Sequence, residues 1–174
     1  RGRSSRIKWT AMRNGKALVL VKTGLIPAVT WGGPAFGTPP ATRQRNTIAS
    51  ACAAPGGRAC ALSTIAIRLG TKFEPWTRAV AEQTQWFLRH WQSGTSVERK
   101  LIRLHWMKNR ERIAGAPPAS RWQRVNGPVG ATIACLAEIG WRPHAPDVWY
   151  IGDMTKWSME GIIAGHQCQS KAWS

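Results

Sequence analysis

The sequence predicts a mainly α protein with at most one short β-hairpin, near residues 148–156. Three observations carry that expectation. Apolar residues recur at helical spacing, as in Leu62, Ile65, Ala66 and Leu69 or in Trp76, Val80, Phe87 and Trp91. Thr95 followed by Glu98 is a capping box ahead of a long helical run. Only Val148–Ile151 has the composition of a strand, with Gly152 and Asp153 as its turn.

The elements follow in order, cut by Gly and Pro. Residues 3–13 predict a short basic helix with Ile7, Trp9 and Met12 as its apolar members, interrupted at Gly15. Residues 16–22 continue with Ala17, Leu18, Leu20 and Val21, and residues 25–31 form a second short apolar segment. Gly32, Gly33 and Pro34, with Gly37, Pro39 and Pro40, predict a loop. Thr42 is the expected N-cap of a helix through Ala53, with Ile48, Ala49 and Cys52 on one side and Pro55-Gly56-Gly57 as its breaker. Residues 60–69 predict a helix closed by Gly70. Pro75 suits the first turn of a helix over 75–92, and the capping box opens another over 96–113. Leu101, Ile102, Leu104, His105 and Trp106 are the expected apolar face of the latter, opposite a ladder of Arg99, Lys100, Arg103, Lys108, Arg110 and Arg112. Gly115 to Pro118 stop it. Asn126 caps a helix over 129–139 with Pro128 early in its first turn, and Gly140 ends it. A weak helix over 158–167 closes the chain. No internal repeat is visible.

Composition suits one domain, or one domain with an arm: 174 residues, 43% of them hydrophobic. Charge divides the chain unevenly. Residues 1–73 hold twelve basic side chains and no acidic one, and the first carboxylate is Glu74. Beyond it stand thirteen basic and eight acidic residues. A cationic stretch of that length repels itself unless an anion lies against it, and nucleic acid is the usual partner. Eleven tryptophans accompany three phenylalanines and one tyrosine, and most of them are expected in the core. No run is long enough to span a membrane, so no membrane partner is expected, and no secretory leader is visible. The chain begins with Arg1, as a piece of a longer protein would. The expected organisation is a basic helical region over 1–70, a second helical region over 71–145, and a short strand with a weakly ordered tail over 146–174.

The chemistry-bearing residues do not assemble into an active site. Cys52, Cys60, Cys135 and Cys168 form no C-x-x-C pair, so reduced thiols in an intracellular protein are expected, with no metal and no cofactor. Glu74, Glu82, Glu98, Glu111 and Glu138 stand singly on helices, where solvated ion pairs explain them. Asp147 and Asp153, with Glu160, are the nearest approach to a magnesium-binding nuclease set. No nucleophile elbow and no phosphate-binding glycine loop occurs. His90 and His105 are expected to pack on helix faces, and His144 to lie in a Pro-rich turn. No catalytic residue is assigned.

Binding has better support. Arg1, Arg3, Arg6, Lys8, Arg13, Lys16 and Lys22 can track a phosphate backbone, with Trp9 available for stacking. Arg43 and Arg45 fall early in their helix, where backbone N–H groups favour anions. Arg99 and Arg103 represent a second candidate face. Phosphate contacts position a nucleic acid without reading its sequence.

The block Lys22-Thr23-Gly24-Leu25-Ile26-Pro27-Ala28-Val29-Thr30-Trp31-Gly32, then Gly37 and the helix with Arg43 and Arg45, resembles the region after the palm in LINE-type (non-LTR) retrotransposon reverse transcriptases. Later blocks are similar to divergent protist members: Leu69-Gly70 with Pro75, Trp86 to Trp91, Arg121-Trp122 with Val125, Gly127-Pro128, and Ile139-Gly140-Trp141. These matches cover residues 6–151 as short pieces in one consistent order. The resemblance implies a thumb-like helical bundle that grips an RNA–DNA or DNA duplex behind a polymerase palm lying upstream in the parent chain, in a nuclear protein. Trp31 stands where the family usually has tyrosine, in what the resemblance implies is a packing role. The family's paired-aspartate motif does not occur here, so polymerase activity is not assigned to these residues. The alternatives are a basic structural RNA-binding component of a ribonucleoprotein particle, or a decayed element fragment without function.

Overall fold

Gly and Pro leave this chain in short helical pieces at its start and longer ones later. A computed structural model describes residues 2–14, 16, 18–54, 64–151 and 155–158. The fold is mainly α, as the sequence predicts. Two compact units divide at Glu82 and Gln83, each with its own core.

The first unit begins with helix α1 (Gly2–Arg13), whose Ile7 and Ala11 are buried one turn apart. Trp9 and Met12, the other apolar members of the helix, are exposed. Short helix α2 (Leu18–Leu20) opens into a π-helical turn (Val21–Leu25) and then α3 (Ile26–Thr30). Pro27 explains the wide turn. Its ring would crowd the carbonyl of Thr23 in a regular helix, and a one-residue expansion relieves that clash. The expected loop after Trp31 contains one further helical turn, α4 (Gly33–Phe36), set between left-handed Gly32 and Gly37.

Helix α5 (Pro40–Ala53) starts two residues before the expected cap Thr42, because Pro40 arrives with helical φ and no N–H to satisfy. The Thr42 and Arg43 N–H groups both donate to the Pro39 carbonyl. Its buried face is Arg43, Thr47, Ser50 and Ala51, not the expected side of Ile48, Ala49 and Cys52. Asn46 donates to the Val29 carbonyl at 2.8 Å, answering an acceptor at the end of α3. Helix α6 (Thr64–Leu69) is the described part of the helix expected from residue 60, and it ends at Gly70 with φ 93°. The core joins Ile7, Val21, Leu25, Ile26, Ala51 and Ile65. Gly15, Ala17, the breaker Pro55-Gly56-Gly57 and Cys60 lie outside the described residues.

Helix α7 (Pro75–Ser93) is entered through Glu74. The Glu74 carboxylate accepts from the Thr77 N–H at 2.6 Å and from the Thr47 hydroxyl at 2.8 Å, so the chain's first acidic residue joins α7 to α5.

In the second unit, α8 (Ser96–Ala114) opens on the expected capping box, with both Thr95–Glu98 bonds formed. A 3-10 segment (Pro118–Arg124) leads to α9 (Gly127–Glu138), which Asn126 precedes at the N-cap position without a side-chain bond. Gln83 donates to the Pro128 carbonyl and the Thr132 hydroxyl, each at 3.1 Å, tying α7 to the start of α9. Gly130 lets α8 and α9 approach: a Cβ there would lie 2.6 Å from Asn109 Oδ1. Gly140, φ 81°, turns the chain from α9 into β1 (Trp141–Ala145).

The sheet has three antiparallel strands in the order β1, β2 (Val148–Ile151) and β3 (Thr155–Ser158). The expected hairpin is β2–β3, and β1 is an addition the sequence does not announce. Pro143 and His144 make residues 141–145 read as a turn, yet Pro is tolerated in a strand at a sheet edge, where β1 lies. Trp149 stands at the centre of the aromatic core, 6.5 Å from parallel Trp106 and 6.0 Å from Phe87. The packed face of α8 is Ile102, Trp106, Asn109 and Ile113. Leu101, Leu104 and His105, expected there, are exposed. Past Ser158, the expected final helix lies outside the described residues.

Candidate nucleic-acid interface

The basic residues do not share one fate. Helix α1 turns Ile7 and Ala11 inward, so residues three and seven positions from Arg6 fall on a common outer face. Arg6, Trp9 and Arg13 occupy that strip and all three are exposed. Arg13 Cζ sits 3.8 Å from the centroid of the Trp9 ring, which is itself 59% exposed. Such a stacked pair presents a cation and a flat apolar surface side by side. Lys8 and Lys16 are exposed on the flanks, and Arg3 belongs to the first turn of the same helix. From Arg6 to Arg13 the axis rises roughly 10 Å, a span over which two long side chains reach phosphates of one strand.

Lys22 is exposed on the π-helical turn, with its ammonium 4.5 Å from the Phe73 ring. Arg45 is exposed and donates Nε to the Ala41 carbonyl of its own helix at 3.3 Å. Arg43 is the correction in this group. It is 0% exposed, donates Nε to the Thr38 carbonyl at 2.7 Å, and lies 4.6 Å from the Trp76 ring. A guanidinium so enclosed holds the 38–43 turn against α7 and cannot meet a phosphate outside.

The α8 ladder is partly committed to its own unit. Arg99 donates to the Gln92 carbonyl at 2.9 Å, at the C-terminus of α7. Arg103 pairs with Asp147 at 3.5 Å and covers Trp91 at 5.4 Å. Arg112 bonds Asn109 Oδ1 at 2.7 Å. Lys100, Lys108 and Arg110 are exposed without an ion pair among the described residues. The ladder therefore offers less cationic surface than its sequence suggests.

Tryptophan divides between the units in the same sense as charge. Among the nine whose burial is described, Trp91, Trp106 and Trp149 are buried and Trp86, Trp122 and Trp141 half-buried, all in the second unit. Trp9, Trp31 and Trp76 in the first are exposed. Trp31, 86% exposed, has no packing role. Thirteen basic and two acidic residues fall in the first unit, against twelve and six in the second. Arg68, exposed on α6, belongs to the first set and only its sign could have marked it.

The other expected chemistry resolves simply. Asp147 pairs with Arg103, while Asp153 and Glu160 lie outside the described residues. Among the described residues no three His, Cys, Asp or Glu side chains converge. Cys52 is half-buried on α5 and Cys135 buried on α9, and Cys60 and Cys168 are outside the described set. His90 is exposed rather than packed and donates Nδ1–H to the Trp86 carbonyl at 2.8 Å, and His144 belongs to β1 rather than to a turn. Among the described residues Glu98 has a clear perturbation: the Thr95 backbone and side chain bond it and hold its carboxyl below the ordinary value of 4.5. No described helix is long and apolar enough to cross a membrane. Set against protein-family models, curated proteins and solved structures, the chain matches none.

Proposed function

We propose that this chain binds nucleic acid through its phosphate backbone, as the gripping segment of a reverse-transcriptase-like retroelement protein. The exposed Arg6–Trp9–Arg13 strip, in a unit with thirteen basic and two acidic residues, carries the proposal. The ordered resemblance to the post-palm region of LINE-type reverse transcriptases favours a primer–template duplex as the partner. Arginine forks match phosphate oxygens, and the Trp9 ring adds a stacking surface at a frayed or single-stranded junction.

Fluorescence anisotropy with a labelled RNA–DNA duplex tests it. Affinity is expected to tolerate changes of sequence and to fall with salt, with a log–log slope of about −0.9 per phosphate neutralised. Arg6→Gln and Arg13→Gln each flatten that slope by roughly one unit. Binding that ignores salt, or that is unchanged in the double variant, sinks the proposal. A marked preference for folded RNA over the hybrid duplex would transfer it to a structural ribonucleoprotein component.

A further inference from the structure

The second unit contains a cavity of about 470 Å³ that has no part in the α1 surface. It opens between the C-terminal half of α8, the 3-10 segment, α9 and the free edge of β1. Ile113 and Ile133, both almost wholly buried, form an apolar floor. Trp141, braced 5.8 Å from Trp149, and buried Pro143 supply a flat wall. Tyr150 faces the same space and meets His144 edge-on at 6.0 Å and 85°.

Against that apolar lining stand Arg110 and Arg121. Neither has a carboxylate partner among the described residues. The Nε of Arg121 is buried and has no hydrogen-bond acceptor there. That atom is out of reach of a ligand, so what the cavity offers is the rest of the Arg121 guanidinium and the Arg110 side chain, two cations without a carboxylate that an anion can meet with charge-assisted bonds. A bare inorganic anion would leave the aromatic wall unused. A neutral apolar molecule would leave the arginines unanswered. The lining calls for a ligand with an anionic group at one end and a flat ring at the other.

We propose that this cavity binds a single nucleotide, its phosphate on Arg110 and Arg121 and its base against Trp141 and Tyr150. The source is either a free nucleoside monophosphate or the terminal nucleotide of a single strand. The volume falls within the range of small-ligand sites and is too small for a duplex. The site is therefore separate from the α1 strip and does not depend on duplex binding there.

Calorimetric titration of the full chain with AMP, adenosine, inorganic phosphate and a 5′-phosphorylated single-stranded tetranucleotide tests the proposal. AMP is expected to bind at least about tenfold more tightly than adenosine or phosphate, since only it satisfies both ends of the site. Arg121→Gln separates the sources: a tetranucleotide affinity that falls with it as AMP affinity does identifies a strand end, whereas one it leaves unchanged is held on the α1 strip and identifies the free nucleotide. Arg121→Gln should weaken AMP by roughly tenfold or more, the worth of a charge-assisted contact. Its duplex affinity should match the wild type, which separates this site from the α1 surface. Arg110→Gln, at an exposed α8 position, provides the same test if Arg121→Gln melts early by circular dichroism. Absence of AMP binding at millimolar concentration overturns the proposal. So does phosphate binding as tight as AMP, or folded Arg110 and Arg121 variants with wild-type AMP affinity.

Discussion

Arg43 and Arg6 belong to the same basic unit, and burial gives them different work. Arg43 Nε is 2.7 Å from the Thr38 carbonyl, and its guanidinium plane is backed by Trp76. Replacing it by Gln leaves the Thr38 acceptor and an apolar ring facing a shorter neutral group. Arg43→Gln is expected to lose about 1.5–3 kcal/mol of stability, the range for hydrogen bonds to charged groups. Arg6, exposed on α1, contributes little to folding. Urea denaturation and duplex titration of the two variants should therefore dissociate: Arg43→Gln unfolds earlier and, where folded, binds as the wild type does. Arg6→Gln unfolds normally and binds less. An Arg43→Gln protein of unchanged midpoint would contradict the buried role. Nothing in the sequence separates these two arginines by type. What separates them is the helix face: Arg43 stands with Thr47, Ser50 and Ala51 on the buried side of α5, while Arg6 stands opposite Ile7 and Ala11 on α1.

At the scale of the element, the capping box of α8 gives a dependence on pH. The Thr95 backbone and side-chain bonds hold the Glu98 carboxyl below 4.5, so the folded state binds its proton less readily than the unfolded chain. Its stabilisation is complete above the ordinary glutamate range and is lost as pH falls through the lowered folded value. Glu98→Ala should thus be less stable than the wild type near pH 7, with the gap narrowing as pH falls through the lowered folded value. Glu98→Gln, which can still bond the Thr95 N–H, should show no such titration. A gap that is constant across that range would remove the carboxylate from the box. This cap was legible because its two residues act through local backbone geometry. The buried face of α8 was not, since apolar residues occur on both sides of the helix and only packing on Trp149 and α9 selects Ile102, Trp106 and Ile113. Strand β1 was hidden for a related reason: its edge position tolerates a proline that sequence rules assign to turns. The α1 strip was legible in its charges and in Trp9. The nucleotide-sized cavity was not, because Arg110, Arg121 and Tyr150 meet only through the tertiary fold.

For the whole molecule, a formal charge of +17 sets stability and binding against each other as salt changes. Twenty-five basic side chains stand against eight acidic ones. Repulsion between like charges therefore dominates the long-range electrostatics of the free chain, and added ions screen it within roughly 10 Å at 0.1 M. The melting temperature of the free protein should rise between about 0.02 and 0.3 M sodium chloride, where the screening length shortens most usefully. Duplex binding should weaken over the same interval as counterion release loses its advantage. A ligand that binds only the folded state raises the melting temperature in proportion to the logarithm of its occupancy ratio. The increment produced by a duplex should therefore be largest at low salt and vanish at high salt, where the free protein is most stable. Tryptophan fluorescence follows this directly, because Trp91, Trp106 and Trp149 are enclosed and become wet on unfolding. A free-protein melting temperature that falls with salt would mean that attraction outweighs repulsion. A duplex increment that persists at high salt would mean that the grip is not on phosphates.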